Sequence, residues 1–343
     1  MKKLICSLIV LICVIFLTSC GPEKPYEAND FAMGTMITQE IYGDNSQSTA
    51  AEVIAKIQDL EALMTINAPR GDINKLNQNA GKGFVELNPE TMLVLKSARK
   101  ISELSGGAFD ITIGPVVKSW GIGTEPPQIP TAASLKELVT LIDYTDVHLD
   151  QAGNMAALQR PGQIVDLGGI AKGYAGDSAR TIYQQNGIKS ALINLGGNVV
   201  AHGHKPDGNA WNIGIQNPRS PTGEIVGFVP VSDQAVVTSG DYQRYFEKEG
   251  KRYYHIMDPR TGFPAESGIM SVTVIAASSM EADGLSTACF VLGLDKGLEL
   301  LQRYGPVEAI FITTDKKIYV TKGLQENFQL KDESNEYTVV KEG

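Results

Sequence analysis

Between Ser278 and Leu292, one carboxylate and two hydroxyls fall at helical spacing. Asp283, Ser286 and Thr287 stand at i, i+3 and i+4, so on a helix their side chains project from one face. Three hard oxygens with no His or Cys beside them suit Mg²⁺ or Ca²⁺, not zinc. The same residues also fit a plainer pattern, an Asp near a helix N-terminus followed by two ordinary helical hydroxyls. Ser278 and Glu281 have capping-box spacing and an apolar run follows, so a helix over 279–292 is predicted either way.

Three further segments carry candidate chemistry. In Val165-Asp166-Leu167-Gly168-Gly169-Ile170-Ala171-Lys172-Gly173, a strand over 163–166 turns through glycines into a helix. Backbone N–H groups at such a helix start can approach a phosphate, and Lys172 adds a cation. An ordinary glycine turn capped by Asp166 fits as well. The stretch from Gly106 to Pro115 reads as a glycine-bounded strand holding Asp110, with Trp120 nearby. It suits a planar or ribose-bearing ligand, or a hairpin packed by the Trp. His255 ends a strand just before the turn Asp258-Pro259, where it is either a general base or phosphate partner, or a structural residue. Polar loops at 196–198 and 238–241 fit the same cleft. The chain has no Walker loop, Rossmann fingerprint, zinc-protease motif or Gly-x-Ser-x-Gly elbow, and any His-dependent step must use His148, His202, His204 or His255.

The elements that must position these residues follow from periodicity. Helices are predicted over 46–64, 88–104, 135–142 and 170–186, besides 279–292. Strands are predicted over 31–42, 191–195, 199–202, 211–216, 225–231, 235–238, 269–277 and 309–313. Short, adjacent strands outnumber helices, which predicts an α+β fold with mixed and antiparallel sheets and packed helices.

The N-terminus addresses the compartment. Lys2 and Lys3 precede an apolar run over 4–17, too short for a comfortable membrane span. Leu17-Thr18-Ser19-Cys20 looks like a lipobox. The expectation is a signal peptide over 1–19, a lipid on Cys20 and a tether over 20–30. A main domain over 31–330 and a tail over 331–343 complete the expected organisation. Such a protein sits on the outer side of the cytoplasmic membrane or beyond it. Of four cysteines, Cys6 and Cys13 leave with the signal and Cys20 is lipidated, so Cys289 is the one free thiol, predicted buried and inert. The formal net charge of −9, which becomes −11 once Lys2 and Lys3 are removed, argues against nucleic acid as a partner.

Taken together, the motifs resemble the ApbE family of FAD:protein FMN transferases. The resemblance rests on Met33-Gly34-Thr35, Gly107-Ala108-Phe109-Asp110 with Gly114-Pro115, Asp166 to Gly173, Asn194-Leu195-Gly196-Gly197, His255 to Pro259, and Glu281 to Thr287, in that order. It implies an ApbE-type fold and an enzyme that splits FAD, transfers FMN to a threonine hydroxyl of an acceptor protein and releases AMP. It implies acceptors such as Nqr- and Rnf-type redox subunits bearing a motif similar to Asp-Gly-x-Thr-Gly-Ala-Thr. It implies that Met33, Ala108, Phe109, Asp110, Asp166, Lys172 and Met257 line the FAD site. It further implies that Asp283, Thr287, Ser286 and the Gly169 carbonyl hold Mg²⁺, with Ca²⁺ as the alternative, and that His255 acts in catalysis alongside Asp283. The chain departs from the family at Asn67, where an aromatic residue often contacts the nucleotide, at Ser286, where some members carry Asp, and at Lys172, where some carry Glu. A metal-dependent FAD pyrophosphatase and a non-catalytic flavin-binding lipoprotein are the competing readings.

Overall fold

The computed structural model describes residues 24–67, 69–122, 127–150 and 152–341. Its centre is a nine-stranded sheet in three layers. In spatial order the strands are β1 (Tyr26–Ala32), β2 (Thr35–Tyr42), β6 (Ser190–Leu195), β7 (Asn198–His202), β10 (Ala235–Gly240), β13 (Ile269–Ala276), β14 (Glu308–Thr313), β15 (Lys317–Val320) and β17 (Thr338–Lys341). Spatial order and chain order coincide across the whole sheet. Every neighbouring pair is antiparallel except β15 with β17.

Helices cover one face. They include α1 (Ser46–Met64), α3 (Pro89–Leu104), α6 (Ala171–Gln185), α7 (Ser279–Leu292) and α8 (Leu294–Tyr304). Helix α1 buries Val53, Ile57, Leu60 and Met64, a helical stripe that meets the sheet. A small sheet covers the other face: β16 (Gln329–Leu330), β9 (Ile225–Val231) and β8 (Trp211–Gln216). Strand β13 is therefore buried along its entire length, with Val272 and Val274 in the helix-side core and Met270 and Ile275 in the core under the small sheet.

Smaller elements flank the site. Helix α2 (Asp72–Gln78) packs against the three-stranded sheet of β3 (Val85–Glu86), β5 (Met155–Leu158) and β4 (Val147–Asp150). Helices α4 (Gly114–Trp120) and α5 (Ala132–Val139) share a satellite core of Val116, Trp120, Leu135 and Met257. The hairpin β11 (Tyr245–Lys248) and β12 (Lys251–Tyr254) leans on that core through Phe246 and Tyr253. Tyr253 lies 5.5 Å from Trp120, centroid to centroid.

The α+β reading agrees with this architecture, and several boundaries differ. The segment read as a tether to residue 30 is already strand from Tyr26, because a polar sequence is ordinary on a sheet edge with one face in water. Within the expected tail, Thr338–Lys341 pairs with β15, and Tyr337 beside it is buried in the second core. The strands expected around 108–113 and 163–166 shrink to one bridge between Ile113 and Ile164. The Asp110 carboxylate accepts from Thr112 N–H and O–H and from Tyr144 N–H, which folds this stretch into turns. Gly114-Pro115 opens a helix instead of closing a strand. Helix α5 starts three residues before its predicted position because Thr131 caps it, accepting from Ser134 N–H. The signal segment and Cys20 lie outside the described residues. No helix among the described residues is long and apolar enough to cross a membrane.

Candidate active site

Helices α6 and α7 meet without side chains between them. A Cβ on Gly173 would lie 2.3 Å from the Ser279 carbonyl and 2.7 Å from Asp283 Cβ, so only glycine permits this approach. Contact at this range lets the Gly173 N–H donate to Asp283 Oδ2 at 2.9 Å. The other oxygen, Oδ1, lies 3.7 Å from Lys172 Nζ. Asp283 is 3% exposed, so its carboxylate is nearly dry, while the Lys172 side chain keeps partial access to water. The start of α7 is fixed from α6: Asp177 accepts from the Ser278 hydroxyl at 2.7 Å and from the Ser279 and Met280 N–H groups at 2.8 and 3.0 Å. A carboxylate there also complements the helix dipole.

Two hydroxyls on α7 face different ways. Ser286 is fully buried; it donates to the Asp283 carbonyl at 2.9 Å and lies 2.9 Å from Ser239 Oγ. Thr287 is half-buried, with its Oγ1 3.2 Å from Ser239 Oγ and opposite Gly169. A side chain at Gly169 would come within 3.4 Å of that oxygen and 3.1 Å of the Phe109 ring, so the bare backbone of Gly169 is what faces Thr287.

The opposite wall comes from turns and the hairpin. Met33 and Gly34 both have positive φ, 51° and 68°, the signature of a two-residue turn that matches strand twist. Arg244, at the base of the β11–β12 hairpin, donates to the Gly34 carbonyl at 3.1 Å. Its own carbonyl accepts from the His255 N–H at 3.1 Å and lies 3.3 Å from His255 Nδ1. A carbonyl only accepts, so Nδ1 carries the proton and Nε2 keeps its lone pair. Burial, then the nearby charges of Arg244 and Lys172, pull the His255 pKa down to about 4. Its imidazole is therefore neutral at physiological pH. Asp166 is shifted upward by burial, a shift opposed by the Gly168 N–H and by Lys118 and Arg244. Burial also raises Asp110.

The site thus holds the buried Asp283 carboxylate, the Lys172 ammonium beside it, the Ser239 and Thr287 hydroxyls, the bare peptide turn at Gly169 and the His255 imidazole. Among the described residues there is no group of three or more His, Cys, Asp and Glu able to hold a metal. What Asp283, Thr287, Ser239 and the Gly169 backbone offer is a hard-oxygen set, which fits Mg²⁺ or Ca²⁺.

Comparison with known proteins fits this geometry. A sequence profile of the ApbE family matches residues 33–311. A FAD:protein FMN transferase of Treponema pallidum is 36% identical over 347 residues, spanning 94% of this chain and 95% of the relative. One from Klebsiella pneumoniae is 35% identical and spans 87% and 92%. The crystal structure of an ApbE protein from Thermotoga maritima superimposes with a TM-score of 0.82 at 30% identity, covering 89% of this chain and 99% of that one. The chain belongs to the ApbE family.

Of the positions that the ApbE resemblance implied, Lys172 and Asp283 pair directly, Gly169 faces Thr287, and His255 is joined through Arg244 to the turn that holds Met33. Ala108 and Phe109 are buried, and Phe109 backs Gly169. Asp110 is engaged on both oxygens in shaping its own loop, and Met257 is packed in the satellite core at 6% exposure. Ser286 stands behind the cleft, hydrogen-bonded to its own helix. Asp177 and Arg244 do not emerge from the sequence, while Ser239 does, within the polar segment 238–241 expected at the cleft. Ser239 was taken with a polar loop and is instead the penultimate residue of β10. The contacts by which Asp177 and Arg244 shape the site carry no local signal, since those partners lie 101 to 103 and 210 residues away.

Proposed function

We propose that this chain cleaves FAD at its pyrophosphate and passes the FMN half to a threonine hydroxyl of an acceptor protein, with AMP leaving. The observations that carry the reading are the Asp283–Lys172 pair at 3.7 Å and a His255 whose Nδ1 faces the Arg244 carbonyl at 3.3 Å, which leaves Nε2 to take a proton. A bond forms between the threonine oxygen and the FMN phosphorus, and the phosphoanhydride bond to AMP breaks. His255 Nε2 takes the threonine proton as the oxygen attacks. The bridging oxygen leaves on AMP as a phosphate anion, beside Lys172. Phosphoryl transfer of this kind needs alignment and charge neutralisation more than a protein nucleophile, and Cys289 is fully buried.

Asp283 and Thr287, with the Gly169 carbonyl alongside and Ser239 next to Thr287, are the residues that would hold Mg²⁺. When bound, the ion would neutralise charge on the pyrophosphate oxygens. Asp283 is oriented for this by the Gly173 N–H, and Thr287 by Ser239. Asn67 in place of an aromatic leaves flavin stacking to other residues. The lipobox supports a lipid anchor at Cys20 on the extracytoplasmic side, and membrane redox subunits of the Nqr and Rnf type are the acceptors that fit that location.

The test is incubation of the chain with FAD, Mg²⁺ and a purified acceptor fragment. The expected products are AMP and an acceptor carrying FMN on threonine, read by mass spectrometry and in-gel flavin fluorescence. Free FMN and AMP with an unmodified acceptor would replace this reading with a pyrophosphatase. Intact FAD would leave a flavin-binding protein.

A further inference from the structure

The Asp283 carboxylate is buried to 4% side-chain exposure, and a carboxylate so placed requires compensation. Gly173 supplies a hydrogen bond to one oxygen. Lys172 supplies charge to the other, but at 3.7 Å, beyond hydrogen-bond range, and on a flexible stem that is itself 22% exposed. The ammonium is close enough to neutralise Asp283 and free enough to leave it.

Formal charge then decides what can bind together. Asp283 and Lys172 cancel. A divalent cation alone would leave the site doubly positive, with the ammonium beside it. A dinucleotide alone, each phosphate bearing one negative charge, would leave it doubly negative. Only both together return the site to neutrality, with the cation on Asp283 and the ammonium on a phosphate. We propose that Lys172 stands in for the divalent cation at Asp283 until metal and FAD arrive together, which makes their binding cooperative. This rests on the reading of Asp283 as the metal-holding carboxylate. By reciprocity, the factor by which FAD tightens the metal equals the factor by which metal tightens FAD.

The probe is Mn²⁺, titrated into the full chain and followed by the electron paramagnetic resonance of the free ion. Without FAD, Lys172→Met should bind Mn²⁺ about tenfold or more tightly than wild type, while Lys172→Arg should behave as wild type. Added FAD should tighten Mn²⁺ binding in all three proteins, because the ion also meets the pyrophosphate, but by a clearly smaller factor in Lys172→Met than in wild type or Lys172→Arg, once Mn²⁺ held by free FAD is subtracted. Circular dichroism checks folding, and Lys172→Gln replaces Lys172→Met if the latter does not fold. Equal Mn²⁺ affinity in wild type and the neutral variant overturns the proposal. An Asp283→Asn control separates the two ideas. If it loses Mn²⁺ while the neutral Lys172 variant matches wild type, only the Lys172 role fails. If it binds Mn²⁺ like wild type, the metal reading fails and the Lys172 role with it.

Discussion

The two walls of the cleft are built to different standards. The α6–α7 wall is a contact of backbones, with Asp283 at 3% exposure and Asp177 tying the helix start at 2.7 to 3.0 Å. The hairpin wall is a two-stranded ribbon whose exposed strands lean on a satellite core, and its His255 is held through one carbonyl at 3.3 Å. A rigid wall suits groups that must meet a pyrophosphate in one geometry. A looser wall suits a base that must accept a hydroxyl arriving on another protein. On the proposed reaction, pre-organisation would lie where the small molecule binds and slack where the acceptor protein does.

Several substitutions test this division, beginning with the largest effect. Asp283→Ala should lower the rate of acceptor flavinylation on the order of 10³-fold, read by flavin fluorescence of the acceptor. An unchanged rate in Mg²⁺ would move the metal elsewhere. His255→Gln should cost on the order of 10²-fold with little change in FAD affinity, separating the two walls by chemistry against binding. Gly173→Ala should destabilise the fold by about 1–3 kcal/mol in thermal or urea unfolding, because the new methyl meets backbone that cannot move alone. Normal stability there would show that the helix contact is softer than its distances. Ser286→Ala should change activity only a few-fold and stability by about 1–2 kcal/mol, since it removes two buried hydrogen bonds, to the Asp283 carbonyl and to Ser239, and no cleft oxygen. A loss as deep as that of Thr287→Ala would return Ser286 to the metal site.

Acidity sharpens the same comparison. Because His255 is neutral above about 4, the transfer rate should stay flat from pH 8 to about 5 and fall only as the imidazole gains a proton near 4. An acid limb near 6.5 would show that the hairpin wall is wetter than drawn. The linked stability runs in the same direction: between about 4 and 6.5 the unfolded chain binds a proton that the folded His255 refuses, so this residue makes folding less favourable as pH falls through that window.

What could be read from sequence follows the range of each interaction. Capping at Ser278 and the face shared by Asp283 and Thr287 are set within one or two turns, and both were legible. The same is true of the apolar stripe of α1 and of Asn88 before Pro89, whose side chain does accept from Glu90 N–H. Asp177 capping a helix a hundred residues on was not legible, because capping patterns are sought beside the helix they cap. Segment 108–113 misled because its apolar residues look like a strand, while the turns that Asp110 imposes depend on Tyr144, 34 residues away. Three helices, α2, α4 and α8, lie outside the predicted set, and two of them carry a sequence signal. Pro115 sits in the first turn of α4, and Leu294, Leu298 and Leu301 mark one face of α8, where Gly297 disguised the period. The hydroxyl pair showed the limit of spacing arguments: i+3 and i+4 point broadly together, yet only Thr287 reaches Gly169, while Ser286 turns back onto its own helix.

The coincidence of spatial and chain order in the large sheet has a consequence for how the protein is made. A chain emerging N-terminus first, from a ribosome or a translocation pore, presents each new strand of this sheet to an edge that already exists. The sheet can grow outward from β1 one strand at a time, with no strand having to insert between two that are already paired. The cleft does not grow that way. Gly34, Lys172, Ser239, His255 and Asp283 are spread over most of the chain, and the last of them arrives on α7. A nascent chain can therefore pair the first half of the sheet before Asp283 has emerged, and the site is complete only once α7 is made.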